Sequence, residues 1–299
     1  MLSLQTNVTS LFAQEQLNLN NNFESNTIEQ LTSGYRINNS GNDAAGLAVA
    51  NSLQAEVAQL QQGVINASSG SSTLQIMDGG LSNISNLLDR LETLATEGAS
   101  GTFAGSYTTL NNEFQSVLTE ITRQAGNIGL ASTVASGGLG TVTTSGTIGA
   151  SQYNTTPLTI FIGGGDANTA TDNQVSVDLT TNGTASGGNG VDALGLGLST
   201  SLVDNPADSA LALTAIQSAI STLGVVQGKV GAGENLLNYA TNLANSQITN
   251  LTASQSSIKD ADIAAEASNL AKAQTLQQSS IAALAQANSM PQAILKLLQ

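Results

Sequence analysis

The chain reads as a mainly α protein: a long antiparallel helical coiled-coil bundle formed by its N- and C-terminal segments, with a small central β-rich insertion. Two heptad runs and a change of composition predict this. Apolar residues recur every seventh position at Leu53, Leu60, Ala67, Leu74, Leu81, Leu88 and Ala95. They do so again at Ile216, Leu223, Val230, Leu237, Ala244, Leu251 and Ile258. Residues seven apart lie on nearly one face of a helix, so each run is a seam that another helix must cover. Between the runs, from about 132 to 204, Gly, Thr, Ser and Asn dominate, and no Lys or Arg occurs between Arg123 and Lys229. Aromatic residues make up 3% of the chain and Trp is absent, which suits slender helical packing better than a thick core.

Each element has its own signal. Residues 5–37 carry Val8, Leu11, Phe12, Leu19, Phe23, Ile28, Leu31 and Ile37 among polar residues, the pattern of an amphipathic helix. SGYRINNSGND then marks a break through Gly34 and Gly41, and Asp43 stands where an N-cap belongs. A helix over 43–97 would be about 80 Å long at ~1.5 Å per residue. Val57 and Val64 flank its seam on one side and Met77, Ile84 and Leu91 on the other, so the second stripe changes side near GSS at 70–72. After a Gly and Ser turn, Leu110, Phe114, Val117, Leu118 and Ile121 predict a shorter helix. PLTIFI (157–162) and VSVDL (175–179) have strand-like content bounded by turn signals. Asn205 is expected to cap the next helix with Pro206 at its first position, where a missing amide is harmless. KDAD (259–262) breaks the second heptad helix from a last amphipathic one carrying Ile263, Ala267, Leu270, Ile281, Leu284, Ile294, Leu295 and Leu298.

Composition bounds the function. A formal charge of −14 has the wrong sign for a nucleic-acid backbone or an anionic membrane, so neither is expected as a partner. Without Cys or His the chain lacks thiolate nucleophiles, soft metal ligands and the commonest general base, and no catalytic, cofactor or metal site is expected. Gly163–Gly165 is followed by no Lys-Ser or Lys-Thr, so it reads as a hairpin turn, not a phosphate loop. The first residues do not read as a cleavable signal peptide, and no stretch of about eighteen apolar residues is seen that would span a membrane.

The two ends mirror each other. Isolated helices are marginal in water, so two terminal helices with apolar stripes are expected to order by packing on each other and on copies of the chain. A heterologous contact that does not close generates an open helical polymer. The expected polymerisation interface is Leu11, Phe12, Leu19, Phe23 and Leu31 with Ile263, Leu270, Ile281, Leu284, Leu295 and Leu298. The expected helix-bundle seam is Leu53, Leu60, Leu74, Leu81 and Leu88 with Ile216, Leu223, Leu237 and Leu251.

LTSGYRINNSGNDAAGLAVAN (31–51) and KDADIAAEASNLAKAQTLQQSSIAALAQANSMPQAILKLLQ (259–299) resemble the two terminal signatures of bacterial flagellin, in the right order and at opposite ends. The resemblance extends over about 1–131 and 206–299. It departs at Tyr35, where flagellins usually carry Leu, at Asn42 and at Gln299. It implies a structural, non-enzymatic subunit, exported unfolded through the flagellar export apparatus with an export chaperone. Such a subunit polymerises beneath a filament cap protein into the extracellular filament of a swimming organelle. It further implies an inner core from 1–42 plus 259–299, a long-helix domain from 43–131 plus 206–258, and an outer insertion over 132–205. Arg90, Leu94 and Glu113 match positions by which an innate Toll-like receptor senses this family. A hook–filament junction protein shares the terminal helices, and a secreted coiled-coil adhesin would share the seams; the ALAQANSMPQAILKLL stretch favours flagellin.

Overall fold

The structure, a computed structural model, describes residues 7–131, 157–163, 173–180 and 190–297, with the backbone alone over 290–297. Among these the elements are α1 (Val8–Ser33), α2 (Ala44–Ala99), α3 (Tyr107–Asn127), β1 (Leu158–Phe161), β2 (Gln174–Val177), α4 (Pro206–Lys259) and α5 (Ile263–Leu297). The chain divides into two compact units, a terminal one of 1–58 with 248–299 and a central one of 59–247. The division falls within α2 and α4, each of which is one continuous helix.

In the terminal unit, both chain segments break at the same level. α1 stops at Ser33 because Gly34 takes φ 74°, a left-handed cap that costs a residue without Cβ little. Its amide donates to the Gln30 carbonyl at 2.9 Å. Asp43 Oδ1 accepts from the Gly46 amide at 2.8 Å and starts α2, while Asp262 Oδ1 accepts from the Ala264 amide at 2.9 Å and starts α5. Tyr35 and Asp260 form an antiparallel bridge between the two breaks. The Arg36 amide donates to the Lys259 carbonyl at 2.7 Å, and the Ala261 amide to the Gly34 carbonyl at 2.9 Å. The Lys259 ammonium sits 4.4 Å from the centre of the Tyr35 ring, a use for the aromatic side chain at that position. The expected helix over 5–37 is therefore shorter at its end, and Ile37 leaves its stripe to become a buried residue of the break, packed over Gly46.

α1 and α5 run antiparallel. Asn7 Nδ2 donates to the Ala287 carbonyl at 2.8 Å near one end, and Asn20 Nδ2 to Ser280 Oγ at 2.7 Å further along. Gln277 Nε2 donates to Asn21 Oδ1 at 3.0 Å, again with α1 ascending as α5 descends.

In the central unit the two seams meet. Gly98 faces Ser209, Leu74 faces Gly233 and Gly70 faces Leu237, so each step back along α2 is matched by an equal step forward along α4. That is an antiparallel pair in constant register. Asn205 Oδ1 accepts from the Asp208 amide at 2.9 Å and Pro206 opens α4, as the sequence predicts. α3 covers the pair with Leu110, Phe114, Leu118 and Ile121, all buried. Residues 190–203, which composition groups with the insertion, place Val191, Leu196, Leu198 and Val203 in the core.

β1 and β2 form the expected antiparallel hairpin, in the register Leu158–Val177, Thr159–Ser176, Ile160–Val175, Phe161–Gln174. Glycines let it settle on the helices: a Cβ on Gly63 would collide with the Ile162 carbonyl, on Gly70 with Ile160, and on Gly233 with Val177. Asn66 Nδ2 donates to the Phe161 carbonyl at 3.0 Å, and Lys229 Nζ to the Thr180 carbonyl at 2.5 Å. Of the Gly163–Gly165 turn, only Gly163 lies within the described residues.

One expectation needs correction. α4 contains an eighteen-residue window of mean hydropathy 1.6, long and apolar enough by composition to cross a membrane. Of that window 33% is buried, so the core seam contributes to its hydropathy.

Candidate functional site

In the pair α1–α5 the fully buried residues are small or polar, and much of the large apolar surface is exposed or half-buried. The buried residues of α1 are Asn20 and Thr27, and those of α5 with described side chains are the small Ala273 and Ala287. Thr27 satisfies its hydroxyl on the Phe23 carbonyl at 2.9 Å and Asn20 on Ser280, so burying them leaves these donors paired. Small residues and short polar ones let the two backbones lie close. The price appears on the outer face, where Leu11, Phe12, Leu19 and Phe23 are 56%, 68%, 56% and 38% exposed. Val8 joins them, Ile28 is exposed on another side of α1, and Ile263, Leu276 and Ile281 stand exposed on α5. A soluble monomer commonly scatters such residues singly, and large exposed apolar patches are enriched at interaction sites.

The other interface residues read from the sequence are less uniform. Leu31, Leu270 and Leu284 are half-buried. Leu298 and the side chain of Leu295 lie outside the described residues.

The seam residues divide by unit. Leu60, Leu74, Leu81, Leu88, Ile216, Leu223 and Leu237 are all buried in the central unit, whereas Leu53 and Leu251, in the terminal unit, are half-buried. Arg90 and Glu113 form an exposed ion pair, with Arg90 Nε donating to Glu113 Oε1 at 3.0 Å. Leu94 is 1% exposed and belongs to the core, so a partner approaching this place meets Arg90 and Glu113.

Sequence reasoning missed an exposed stripe on α4: Leu211, Val225, Leu236, Tyr239 and Leu243. Its signal was present in spacings of eleven and fourteen, about three and four turns at ~3.6 residues per turn. The heptad masked it, because both stripes draw on Leu and Val.

The electrostatics set these faces apart from the rest. Arg90 pairs with Glu113 and Arg123 with Glu120. Arg36 Nη2 donates to the Ile258 carbonyl at 2.9 Å, Lys229 to Thr180, and Lys259 covers Tyr35. Most of the seven basic residues are thus engaged within the chain, against 21 carboxylates. Hydrogen bonds from Arg123 and then Gln124 hold the Glu120 carboxyl below its ordinary value, and the Thr180 hydroxyl and amide do the same for Asp178.

Comparison with known proteins finds relatives of this chain. Residues 4–130 match the bacterial flagellin N-terminal helical region, and residues 213–298 the bacterial flagellin C-terminal helical region. Flagellin of Listeria monocytogenes is 34% identical over 307 aligned residues, covering 99% of each chain. Flagellin of Bacillus subtilis is 30% identical over 324, covering both chains fully. The crystal structure of Bacillus cereus flagellin aligns over 64% of this chain and 93% of that one, with a TM-score of 0.39 and 22% identity.

Proposed function

The chain belongs to the bacterial flagellin family and is a structural subunit of the flagellar filament, and from that premise we propose that the outer face of α1–α5 is the surface by which it polymerises. The observation that carries this is the exposure of Leu11, Phe12 and Leu19 on a helix whose fully buried residues are Asn20 and Thr27. Buried apolar surface stabilises at about 25 cal/mol per Å². The pair forgoes much of that in the isolated subunit and gains it when Leu11, Phe12, Leu19, Phe23, Leu31, Ile263, Leu270, Ile281 and Leu284 are covered by neighbouring copies, with Leu295 and Leu298 completing the surface.

In this reading the segments 1–42 plus 259–299 form the innermost layer, 43–131 plus 206–258 the next, and 132–205 the outward face. The division is one of layers in the polymer and cuts across the compact units of the subunit. The chain passes unfolded through the export apparatus, held beforehand by a chaperone, and is added beneath a cap protein at the distal tip. Lack of Cys supports this route, since an unfolded chain in transit forms no crosslinks. Arg90 and Glu113 are an exposed pair available to an innate receptor in the free subunit.

The test is seeded polymerisation of the full chain, followed by electron microscopy. Phe12→Asp places a charge on a side chain that is 68% exposed, so the subunit keeps its helical circular dichroism while elongation is lost. Normal filaments from this variant would overturn the assignment of the face.

A further inference from the structure

We propose that the two helix breaks form one clasp that sets the register of α1 against α5, with Lys259 over Tyr35 as the contact that keeps it closed. The inference rests on the reading of the chain as a filament subunit and names the residues that position its polymerising surface. The clasp joins segments far apart in the sequence. Tyr35 bridges Asp260, the Arg36 amide donates to the Lys259 carbonyl and the Ala261 amide to the Gly34 carbonyl. Arg36 is held at two further points: its Nη2 donates to the Ile258 carbonyl at 2.9 Å, and its own carbonyl accepts from Gln30 Nε2 at 2.9 Å. The Lys259 ammonium closes the place from one side, 4.4 Å from the centre of the Tyr35 ring.

Register counts outward from this bridge. Asn7 lies 28 residues before Tyr35, and Ala287, whose carbonyl it reaches, lies 27 residues after Asp260. Asn21 and its donor Gln277 lie 14 and 17 residues away in the same directions, a difference of less than one turn. The alignment fixed at the bridge thus returns within one residue at the far end of α1.

The pair needs such an anchor. Its fully buried residues, Asn20, Thr27, Ala273 and Ala287, offer no large side chain to interlock, so a slip of one turn costs it little apolar contact. That slip would shift Leu11 and Phe12 by about 5.4 Å against Ile281, and the surface presented to neighbours would no longer match. Side-chain bonds along the pair hold an alignment once it is found. Among the described residues, backbone hydrogen bonds join the two segments at the clasp, and backbone groups cannot change partner without moving the chain.

The Tyr35–Asp260 pair is flanked, not joined, by its two hydrogen bonds, and the Cα atoms of such a pair lie about 4.5 Å apart, within the reach of a disulfide. The chain has no Cys, so Tyr35→Cys with Asp260→Cys introduces only these two thiols into the full-length protein. The dilute monomer is expected to oxidise to an intramolecular disulfide, and the oxidised form to elongate parent seeds at least as fast as the reduced form. A pair that stays reduced, or slower elongation after oxidation, overturns the proposal. The contact itself has its own signature: the side-chain protons of Lys259 are expected to shift upfield in NMR spectra of the parent monomer through the ring current of Tyr35, and to lose that shift in Tyr35→Leu. An exposed cation–π contact favours the closed form by about two- to fivefold. Terminal helices are marginal in water, so Lys259→Met is expected to slow elongation by about that factor and Lys259→Arg to restore it. No upfield shift in the parent, or Lys259→Met at the parent rate, overturns the role of Lys259. The disulfide and the shift are read in the monomer, so they test the clasp even if the parent chain fails to polymerise, a failure that would count against the filament reading alone.

Discussion

At the scale of single residues, the glycines of α2 show how much one methyl group decides. A Cβ at Gly63 meets the backbone carbonyl of Ile162, an atom that cannot rotate away, whereas at Gly79 nothing lies within 4 Å. Gly63→Ala is therefore expected to destabilise the central unit by about 1–3 kcal/mol, as overpacking does. Gly79→Ala is expected to stabilise it by about 0.5–1 kcal/mol through helix propensity. Thermal melting of the two variants checks both signs. Glu120 is the residue-scale case of pH dependence. Its carboxyl titrates below the ordinary 4.5 because Arg123 and Gln124 donate to it, so its pairing stabilises the fold above that pH and is lost as pH falls through the lowered value. The group is exposed and the effect small. Arg123→Gln is expected to return the titration, followed by NMR, toward 4.5.

At the scale of elements, the same aliphatic residue has opposite roles in the two helix pairs. Leu81 is fully buried where α2 meets its partners, while Leu19 on α1 is 56% exposed. Leu81→Asp strands a charge in the core and is expected to cost more than about 3 kcal/mol of monomer stability. Leu19→Asp is expected to leave monomer melting within about 0.5 kcal/mol, as surface changes do, and to act on assembly alone. Denaturant melts of the two monomers separate these outcomes. The pair α1–α5 takes its register from side chains that count one by one, Asn7 on Ala287, Asn20 on Ser280, Asn21 with Gln277, and not from a continuous aliphatic seam. Hydrogen bonds specify position more sharply than they stabilise, each contributing about 1 kcal/mol net. Such a pair holds one alignment while leaving its apolar side for neighbours.

At the scale of the whole molecule, charge opposes assembly. A subunit of formal charge −14, whose Arg90 and Arg123 are already paired within the chain, repels its copies at any distance that salt leaves unscreened. The Debye length shortens from about 30 Å at 0.01 M to about 8 Å at 0.15 M. The critical concentration for polymerisation is therefore expected to fall as salt rises over that range, read by sedimentation of seeded protein. A critical concentration independent of salt would mean that the contacts themselves carry compensating charges.

The order of elements, the caps at Asp43 and Asn205, the hairpin strands and the heptad seams were all legible in the amino-acid order, because spacing alone states which residues share a face. Spacing is silent on what covers a face. Leu94 was grouped with Arg90 and Glu113 as a receptor-contact position and is core, Ile37 was read as helix and is a buried plug, and the exposed Leu236 and Tyr239 hid behind a stronger repeat. Tertiary structure decided which stripe of each helix turns inward. It put Asn20 and Thr27 between α1 and α5 and left Leu11 and Phe12 in water, because close approach of two backbones selects small and hydrogen-bonded side chains over large ones.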